Sequence, residues 1–149
     1  MAGKSALAHA YRLLGQRDYS SWVLKQRLLR RFSEDEVDEA VSTLLRRGDL
    51  DDARYCRDTV LRLLRRGRGS LYVDAYLKAR GVPPELRREA VAGCLGQPER
   101  EAAEAYLKKQ SSRTGRSPVR ALVTRGFSPE VIEEVARRYA KRTDTTEIP

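Results

Sequence analysis

Two groups of basic side chains are the residues of this sequence whose types and spacing point to a chemistry. Clustered arginines and lysines bind polyanions, because they neutralise phosphates and release the counterions condensed around them. The candidate residues are Lys25, Arg27, Arg30 and Arg31 in the first group, and Arg54, Arg57, Arg62, Arg65, Arg66 and Arg68 in the second. These residues predict contact with a nucleic acid, and the alternative is a basic helix surface that only faces water.

The overall charge favours the same partner. The chain has 149 residues, with 30 Lys and Arg against 21 Asp and Glu, and therefore a net charge of +9 at pH 7. This surplus predicts a polyanionic partner, nucleic acid ahead of an anionic membrane surface, and the alternative is charge that only aids solubility. No apolar run approaches the ~20 residues that cross a bilayer. Residues 1–5 lack the apolar segment of a secretory signal, so we expect a cytoplasmic protein with no membrane partner.

Residues for catalysis or metal binding are sparse. No glycine-rich phosphate loop followed by Lys-Ser or Lys-Thr occurs, His9 is the only histidine, and Cys56 and Cys94 lie far apart. We interpret both cysteines as small buried side chains and His9 as a core or half-exposed residue. Helix capping explains the acidic pair Asp51 and Asp52. We therefore expect no enzyme activity, no metal and no cofactor.

Helices are the elements that must position the basic groups. A helix ends at Gly48, and the next begins at Asp51 or Asp52, where a carboxylate accepts free backbone N–H groups. At 100° per residue, the arginines after this start lie opposite one apolar stripe. The stripe contains Ala53, Cys56, Val60, Leu63 and Leu64, and we expect Val60 and the preceding Leu50 in the core.

The same signals place helices along the rest of the chain. Ser20 or Ser21 caps the second helix, and Ser33 with Glu36 forms a capping box before the third. The other predicted helices cover residues 5–14, 71–80, a segment from 83–84 to about 95, one through 102–107, 118–125 and 128–139, with a break at 96–98 and a polar loop at 111–115. No segment alternates as a strand does, so the fold class is all-α.

A repeat underlies these helices. Leu77 and the turn 80–82 recur 45 residues later as Leu122 and the turn 125–127, while the first third matches at a spacing of 49 and lacks the turn glycine. Armadillo and HEAT repeats have units of similar length. The pattern predicts three tandem three-helix units in an elongated, curved right-handed array. We place the units at 5–48, 49–96 and 97–140, after a flexible start at 1–4 and before a disordered tail at 141–149.

One phrase of the sequence resembles a known family. Gly48-Asp49-Leu50-Asp51-Asp52-Ala53-Arg54-Tyr55, followed after a basic helix by Arg66-Gly67-Arg68-Gly69, is similar to the signature of the bacterial RecX regulatory proteins. The later turns and Tyr19-Ser20 fit as well, so that the resemblance covers roughly residues 6–139. Asp49 departs from the family, which commonly has an aromatic there.

The resemblance implies an all-α modulator of the RecA recombinase, built of tandem three-helix units, and we expect the protein to be a monomer. Family members bind the filament of RecA on single-stranded DNA, lie in its groove, and inhibit filament growth, ATP hydrolysis and strand exchange. The basic residues of both groups would then contact the filament, or single-stranded DNA weakly or through RecA.

Two other functions stay open from the residues alone. The short second helix of each unit could read duplex DNA, or the units could form an adaptor that binds only a protein. Binding by an adaptor through apolar contacts would be nearly insensitive to salt. Tyr55, Tyr72 and Tyr76 are candidates for base stacking, with core packing as the alternative.

Overall fold

The computed structural model describes residues 5–110 and 117–146, with side chains up to residue 141. This part of the chain is all-α, as predicted, and forms nine helices without a strand. The helices are α1 (Ala6–Gln16), α2 (Ser21–Leu28), α3 (Glu34–Arg47), α4 (Asp52–Arg65), α5 (Ser70–Ala79), α6 (Pro84–Cys94), α7 (Gln97–Gln110), α8 (Pro118–Thr124) and α9 (Pro129–Thr146). None of these helices is both long enough and apolar enough to span a bilayer.

The helices pack in three consecutive groups of three. Unit 1 (α1–α3), unit 2 (α4–α6) and unit 3 (α7–α9) each enclose a separate apolar core. The fully buried centres of these cores are Leu24, Leu28, Val37 and Leu44 in unit 1, Val73, Leu77 and Cys94 in unit 2, and Leu122 with the nearly buried Phe127 in unit 3. Tandem three-helix units are therefore confirmed, whereas the boundaries at 48/49 and 96/97 stay a prediction.

Side-chain caps begin α3 and α4 and a glycine ends α3 where the sequence predicts them. Ser33 and Glu36 form the capping box of α3, with hydrogen bonds of 3.3 and 3.4 Å. Gly48 ends α3 at φ 77°, a conformation that glycine adopts without steric cost. Of the two predicted starts of α4, Asp51 is the cap, and its carboxylate accepts a bond from Arg54 N–H at 3.1 Å.

Three predicted helix boundaries are wrong. α1 continues through Gly15 to Gln16. The predicted break at 96–98 is shorter, because Gln97 and Pro98 already belong to α7; proline is tolerated there since the first turn of a helix leaves its N–H groups unpaired. α9 runs past Tyr139 to Thr146, so the tail predicted to be disordered from residue 141 is helical in its first six residues. Residues 1–4, 111–116 and 147–149 lie outside the described part.

Backbone hydrogen bonds join unit 2 to unit 3. Gly69 N–H donates to Arg125 C=O at 3.0 Å, and Leu71 N–H donates to Gly126 C=O at 2.9 Å. A Cβ on Gly69 would lie 2.3 Å from Phe127 Cα, so the two backbones meet at a distance that only glycine allows. The start of α5 is thereby fixed against the turn between α8 and α9.

Side chains make the corresponding joint between unit 1 and unit 2. The Asp52 carboxylate accepts the backbone N–H and the hydroxyl of Ser21 at 2.8 and 2.5 Å. Trp22, although 47% exposed, packs against Gly81, where an added Cβ would lie 2.3 Å from the indole. At both joints, the start of a unit's second helix therefore lies against the turn that connects the second and third helices of the next unit.

Candidate nucleic-acid interface

The outer side of α4 carries a row of the predicted arginines. Arg54, Arg57, Arg62 and Arg65 are all exposed. The opposite side of the helix buries Cys56, Val60, Leu63 and Leu64 in the core of unit 2, as the apolar stripe predicts. Leu50 and Val60 are 2% and 8% exposed, which confirms both as core residues. Packing of the stripe therefore fixes the side from which the arginines project.

A cleft of about 170 Å³ lies where α4 faces unit 1, and we call it the tyrosine cleft. Arg62 Nη2 donates to Tyr76 Oη at 2.9 Å, and the Arg80 guanidinium carbon lies 3.4 Å from the centre of the same ring. Arg17 lies 4.8 Å from the centre of the Tyr19 ring. Such contacts hold a guanidinium in place without neutralising its charge.

The predicted stacking tyrosines belong partly to the core. Tyr55, Tyr72 and Tyr76 are half-buried and pack against the apolar cluster of unit 2. Burial raises the pKa of the Tyr55 phenol, and the neighbouring Tyr76 raises it further, so this hydroxyl stays protonated at neutral pH. Arg68 lies 4.4 Å from the centre of the Tyr72 ring. The rings of Tyr72 and Tyr76 therefore support arginine side chains.

The turn after α4 presents the last two candidates differently. Arg66 is exposed, and its carbonyl accepts a hydrogen bond of 2.6 Å from Arg125 Nη2. Arg125 Nε also donates to Gly67 C=O at 3.1 Å. Arg68 is half-buried on Tyr72. Unit 3 therefore holds the backbone of this turn, while the two cationic side chains stay at the surface of unit 2.

The first basic group, on α2 and in the turn after it, consists of one ion-paired lysine and three exposed arginines. Lys25 is half-buried and pairs with Asp38 at 3.0 Å, so its charge is neutralised. Arg27, Arg30 and Arg31 are exposed at the end of α2 and in the following turn. These three line a second cleft, in which α1 supplies further side chains.

Ion pairing separates two classes of basic residue. Within 5–110 and 117–141, Lys25 is the single candidate that forms an ion pair. Paired cations outside the two groups include Arg87, Arg100, Arg137 and Arg138, on α6, α7 and α9. Apart from Lys25, the predicted basic residues of α2, α4 and the turns after them thus keep an unneutralised charge.

Three arginines beside the candidates were missed by sequence reasoning. Arg17 and Arg80 line the tyrosine cleft, and Arg12 lines the second cleft. Arg80 caps α5 four residues after Tyr76, a spacing that brings two side chains together on a helix, so this contact had a local signal in the sequence. Arg12 and Arg27 come together only because α1 packs on α2.

The described residues contain no group of three or more His, Cys, Asp or Glu side chains arranged to hold a metal ion. Cys56 and Cys94 are free and buried, as predicted. His9 is buried, and its Nδ1 lies 3.1 Å from Arg12 Nη2.

Comparison with known proteins identifies the family. Residues 6–44 match the model described as "RecX, first three-helix domain". The chain is 39% identical over 136 residues to a "Regulatory protein RecX" of Thermus thermophilus, covering 91% of this chain and 92% of that protein. It is 38% identical over 130 residues to the protein of the same name from Chromohalobacter salexigens, covering 83% and 85% of the two chains.

Solved structures show the same fold. The crystal structure of RecX from Lactobacillus salivarius aligns with a TM-score of 0.78 at 16% identity, over 89% of this chain and 93% of that one. A second crystal structure of a regulatory protein RecX gives a TM-score of 0.75 at 18% identity, over 87% of this chain and 70% of that one. With relatives this similar over nearly their whole length, the chain belongs to the RecX family of regulatory proteins.

Proposed function

We propose that the chain binds the filament of RecA on single-stranded DNA and inhibits its ATP hydrolysis, its extension and strand exchange. The contact is made by a basic surface formed by the unpaired side chains of the two predicted groups, all of them exposed except the half-buried Arg68. This surface comprises Arg27, Arg30, Arg31, Arg54, Arg57, Arg62, Arg65, Arg66 and Arg68. Family membership supports a regulator, and the charge of this surface supports a polyanionic target.

The carrying observation is that none of these nine arginines forms an ion pair in the described structure. Arg87 on α6, Arg100 on α7 and Arg138 on α9 each have a carboxylate within 4.0 Å, whereas the arginines on the outer side of α4 have none in the described structure. An unpaired surface arginine keeps its field and binds a phosphate without first breaking an ion pair.

The joints between units support action on more than one filament subunit. Backbone bonds at Gly69 and Leu71 fix unit 3 to unit 2, and the Asp52–Ser21 bonds attach unit 1. A prearranged row of units loses less conformational freedom on binding several neighbouring sites than a flexible chain does. We infer that the units bridge adjacent subunits and thereby hinder their exchange.

The proposal assigns the protein a binding role without catalysis. The relatives carry the name of a regulatory protein. The buried environment of both cysteines keeps these nucleophiles away from solvent. Inhibition then arises from occupancy of the filament.

Binding at two salt concentrations tests the proposed target against the alternatives. The purified protein is titrated against RecA filaments on labelled single-stranded DNA, and separately against labelled duplex DNA without RecA. We expect filament binding that weakens as salt rises, since each phosphate contact contributes about −0.7 to the logarithmic salt slope on single strands. Tight binding to duplex alone would point to a duplex-reading regulator, and salt-insensitive binding to a protein partner would point to an adaptor.

A further inference from the structure

A strongly basic concavity lies in unit 1. This is the second cleft described above, which has a volume of about 320 Å³ and lies between α1 and the end of α2. It is lined by His9, Arg12, Leu13, Arg27, Arg30 and Arg31. We call it the arginine cleft. Leu13 and His9 are buried in its floor, and all four arginines are exposed at its walls.

Four guanidinium groups share this cleft without a carboxylate in its lining. The tyrosine cleft, by contrast, contains Asp18 and Asp58 among its arginines. The side chains of Arg30 and Arg31 have no hydrogen-bond or ion-pair partner among residues 5–110 and 117–141. Gathering like charges in one concavity is unfavourable unless an anion offsets their repulsion.

The helix dipole of α2 does not account for the positive charge of the arginine cleft. Arg27, Arg30 and Arg31 stand at the carboxyl end of α2, where a helix presents about −0.5 of an elementary charge. That partial charge is small beside four full positive charges, and Arg12 comes from the interior of a different helix. On α3, Asp38 pairs with Lys25, and no carboxylate of that helix lines the cleft.

The position of Arg12 is prearranged. Its Nη2 donates to His9 Nδ1 at 3.1 Å, and the His9 ring lies 5.9 Å from Phe32 at the edge of the core. On α2 and its turn, positions 27, 30 and 31 have the spacing that places side chains on one side of a helix. The forks of these guanidinium groups therefore point to a ligand with several anionic oxygens, which arginine binds in a bidentate manner.

We propose that the arginine cleft is a site for closely spaced phosphate groups, supplied by a nucleic-acid strand or by a free polyphosphate. The site lies wholly within unit 1 and needs no recombinase. It therefore extends the proposed function, and each can fail without the other.

Two probes test this site in the absence of RecA. Inorganic tripolyphosphate is titrated by calorimetry, and a labelled oligothymidylate by fluorescence anisotropy. The variant Arg12→Gln with Arg31→Gln removes two charges from the cleft. The matched control, Arg46→Gln with Arg88→Gln, removes two exposed charges elsewhere, on α3 and α6.

We expect one tripolyphosphate per chain, bound about tenfold more weakly by the cleft variant, which corresponds to ~1.4 kcal/mol, and unchanged within about twofold by the control. Displacement of oligothymidylate by tripolyphosphate, with a matching loss in the cleft variant, identifies the strand as the source. Loss of tripolyphosphate binding alone identifies a free polyphosphate.

Equal weakening in both variants, or no measurable tripolyphosphate binding by the unaltered protein, would overturn the proposal. Circular dichroism checks the fold. If Arg12→Gln disturbs α1 through His9, the variant Arg30→Gln with Arg31→Gln replaces it, because neither side chain makes a contact that supports the fold.

Discussion

Glu99 and Ser70 lie in different units, yet the Glu99 carboxylate accepts both the backbone N–H and the hydroxyl of Ser70, at 2.9 and 2.8 Å. The same carboxylate accepts the backbone N–H and the hydroxyl of Ser128, at 2.8 and 2.9 Å. Glu99 is fully buried, and these four bonds replace the water that it loses. Because Ser70 begins α5 and Ser128 precedes α9, the charge also lies at two helix N-termini, where it is favourable.

Replacing Glu99 should therefore destabilise the whole chain. We expect Glu99→Ala to lower the free energy of unfolding by about 3 kcal/mol, since it leaves several buried donors without an acceptor. Glu99→Gln should cost less, about 1 kcal/mol, because an amide oxygen still accepts on one side. Urea denaturation followed by circular dichroism measures both changes.

The matched control for this prediction is Glu101→Gln, an exposed glutamate on the same helix. It should change the stability by less than about 0.5 kcal/mol. A Glu99→Ala variant as stable as this control would show that the buried carboxylate does not hold the joint.

The close approach of backbones at Gly69 predicts a second effect on stability. Gly69→Ala should destabilise by about 1–3 kcal/mol, since the added Cβ would meet Phe127 Cα and no flexible side chain can yield there. Its φ of −96° is ordinary, so the effect would be steric. Gly93→Ala, in open space near the end of α6, should instead stabilise by about 0.5–1 kcal/mol. Thermal unfolding of both variants checks the contrast, and equal melting temperatures would contradict it.

Burial of the two cysteines predicts slow thiol chemistry and a loss of stability at high pH. Burial raises the pKa of Cys56 to about 11 and that of Cys94 to about 12, from an ordinary value of 9.0. At pH 8, about one Cys56 thiol in a thousand would be ionised, so a disulfide reagent should label the folded protein far more slowly than the unfolded one.

The pH dependence of stability follows from the same shifts. The unfolded state releases its thiol protons near pH 9, before the folded state does. The contribution of the two protonated thiols to the free energy of unfolding is therefore full below pH 9 and is lost as the pH rises through 11 to 12. The Cys56→Ala variant should lose part of this slope. Rapid labelling of both thiols in the native protein at pH 8 would contradict their burial.

Removing charge from the outer side of α4 should weaken filament binding without unfolding the protein. The variant carries Arg54→Ala, Arg57→Ala and Arg65→Ala, three exposed side chains opposite the buried stripe. We expect at least about tenfold weaker binding, and a logarithmic salt slope smaller by up to about 2, at unchanged helicity. The control replaces Arg46, Lys78 and Arg88 with alanine, which removes the same charge from other helices. Equal binding by the two variants would mean that this side of α4 only faces water.

Local structure was predictable because its causes are local. The capping box at Ser33, the left-handed end at Gly48 and the apolar stripe of α4 each depend on residues within one or two helical turns, and all three form as expected. Asp52 shows where such reasoning stops. Its place beside Asp51 indicates a cap for its own helix, but its carboxylate binds Ser21 of the preceding unit, 31 residues away.

Long-range contacts explain the remaining differences. Nothing near Glu99 in the sequence indicates that it will be buried between Ser70 and Ser128, because that site exists only after two units have packed. The same holds for the arginine cleft, where Arg12 joins side chains from another helix. The continuation of α9 to Thr146 was missed because its last turns are polar. Tertiary packing of the earlier turns stabilises the helix, which then continues into these polar turns.

The most direct measurement is the rate of ATP hydrolysis by RecA on single-stranded DNA, titrated with this protein at two salt concentrations. The proposed regulator should inhibit hydrolysis well below one molecule per RecA subunit, more strongly at low salt, and the triple arginine variant of α4 should require higher concentrations. Unchanged hydrolysis at a full molar excess, together with tight binding of duplex DNA by the protein alone, would contradict regulation of the filament.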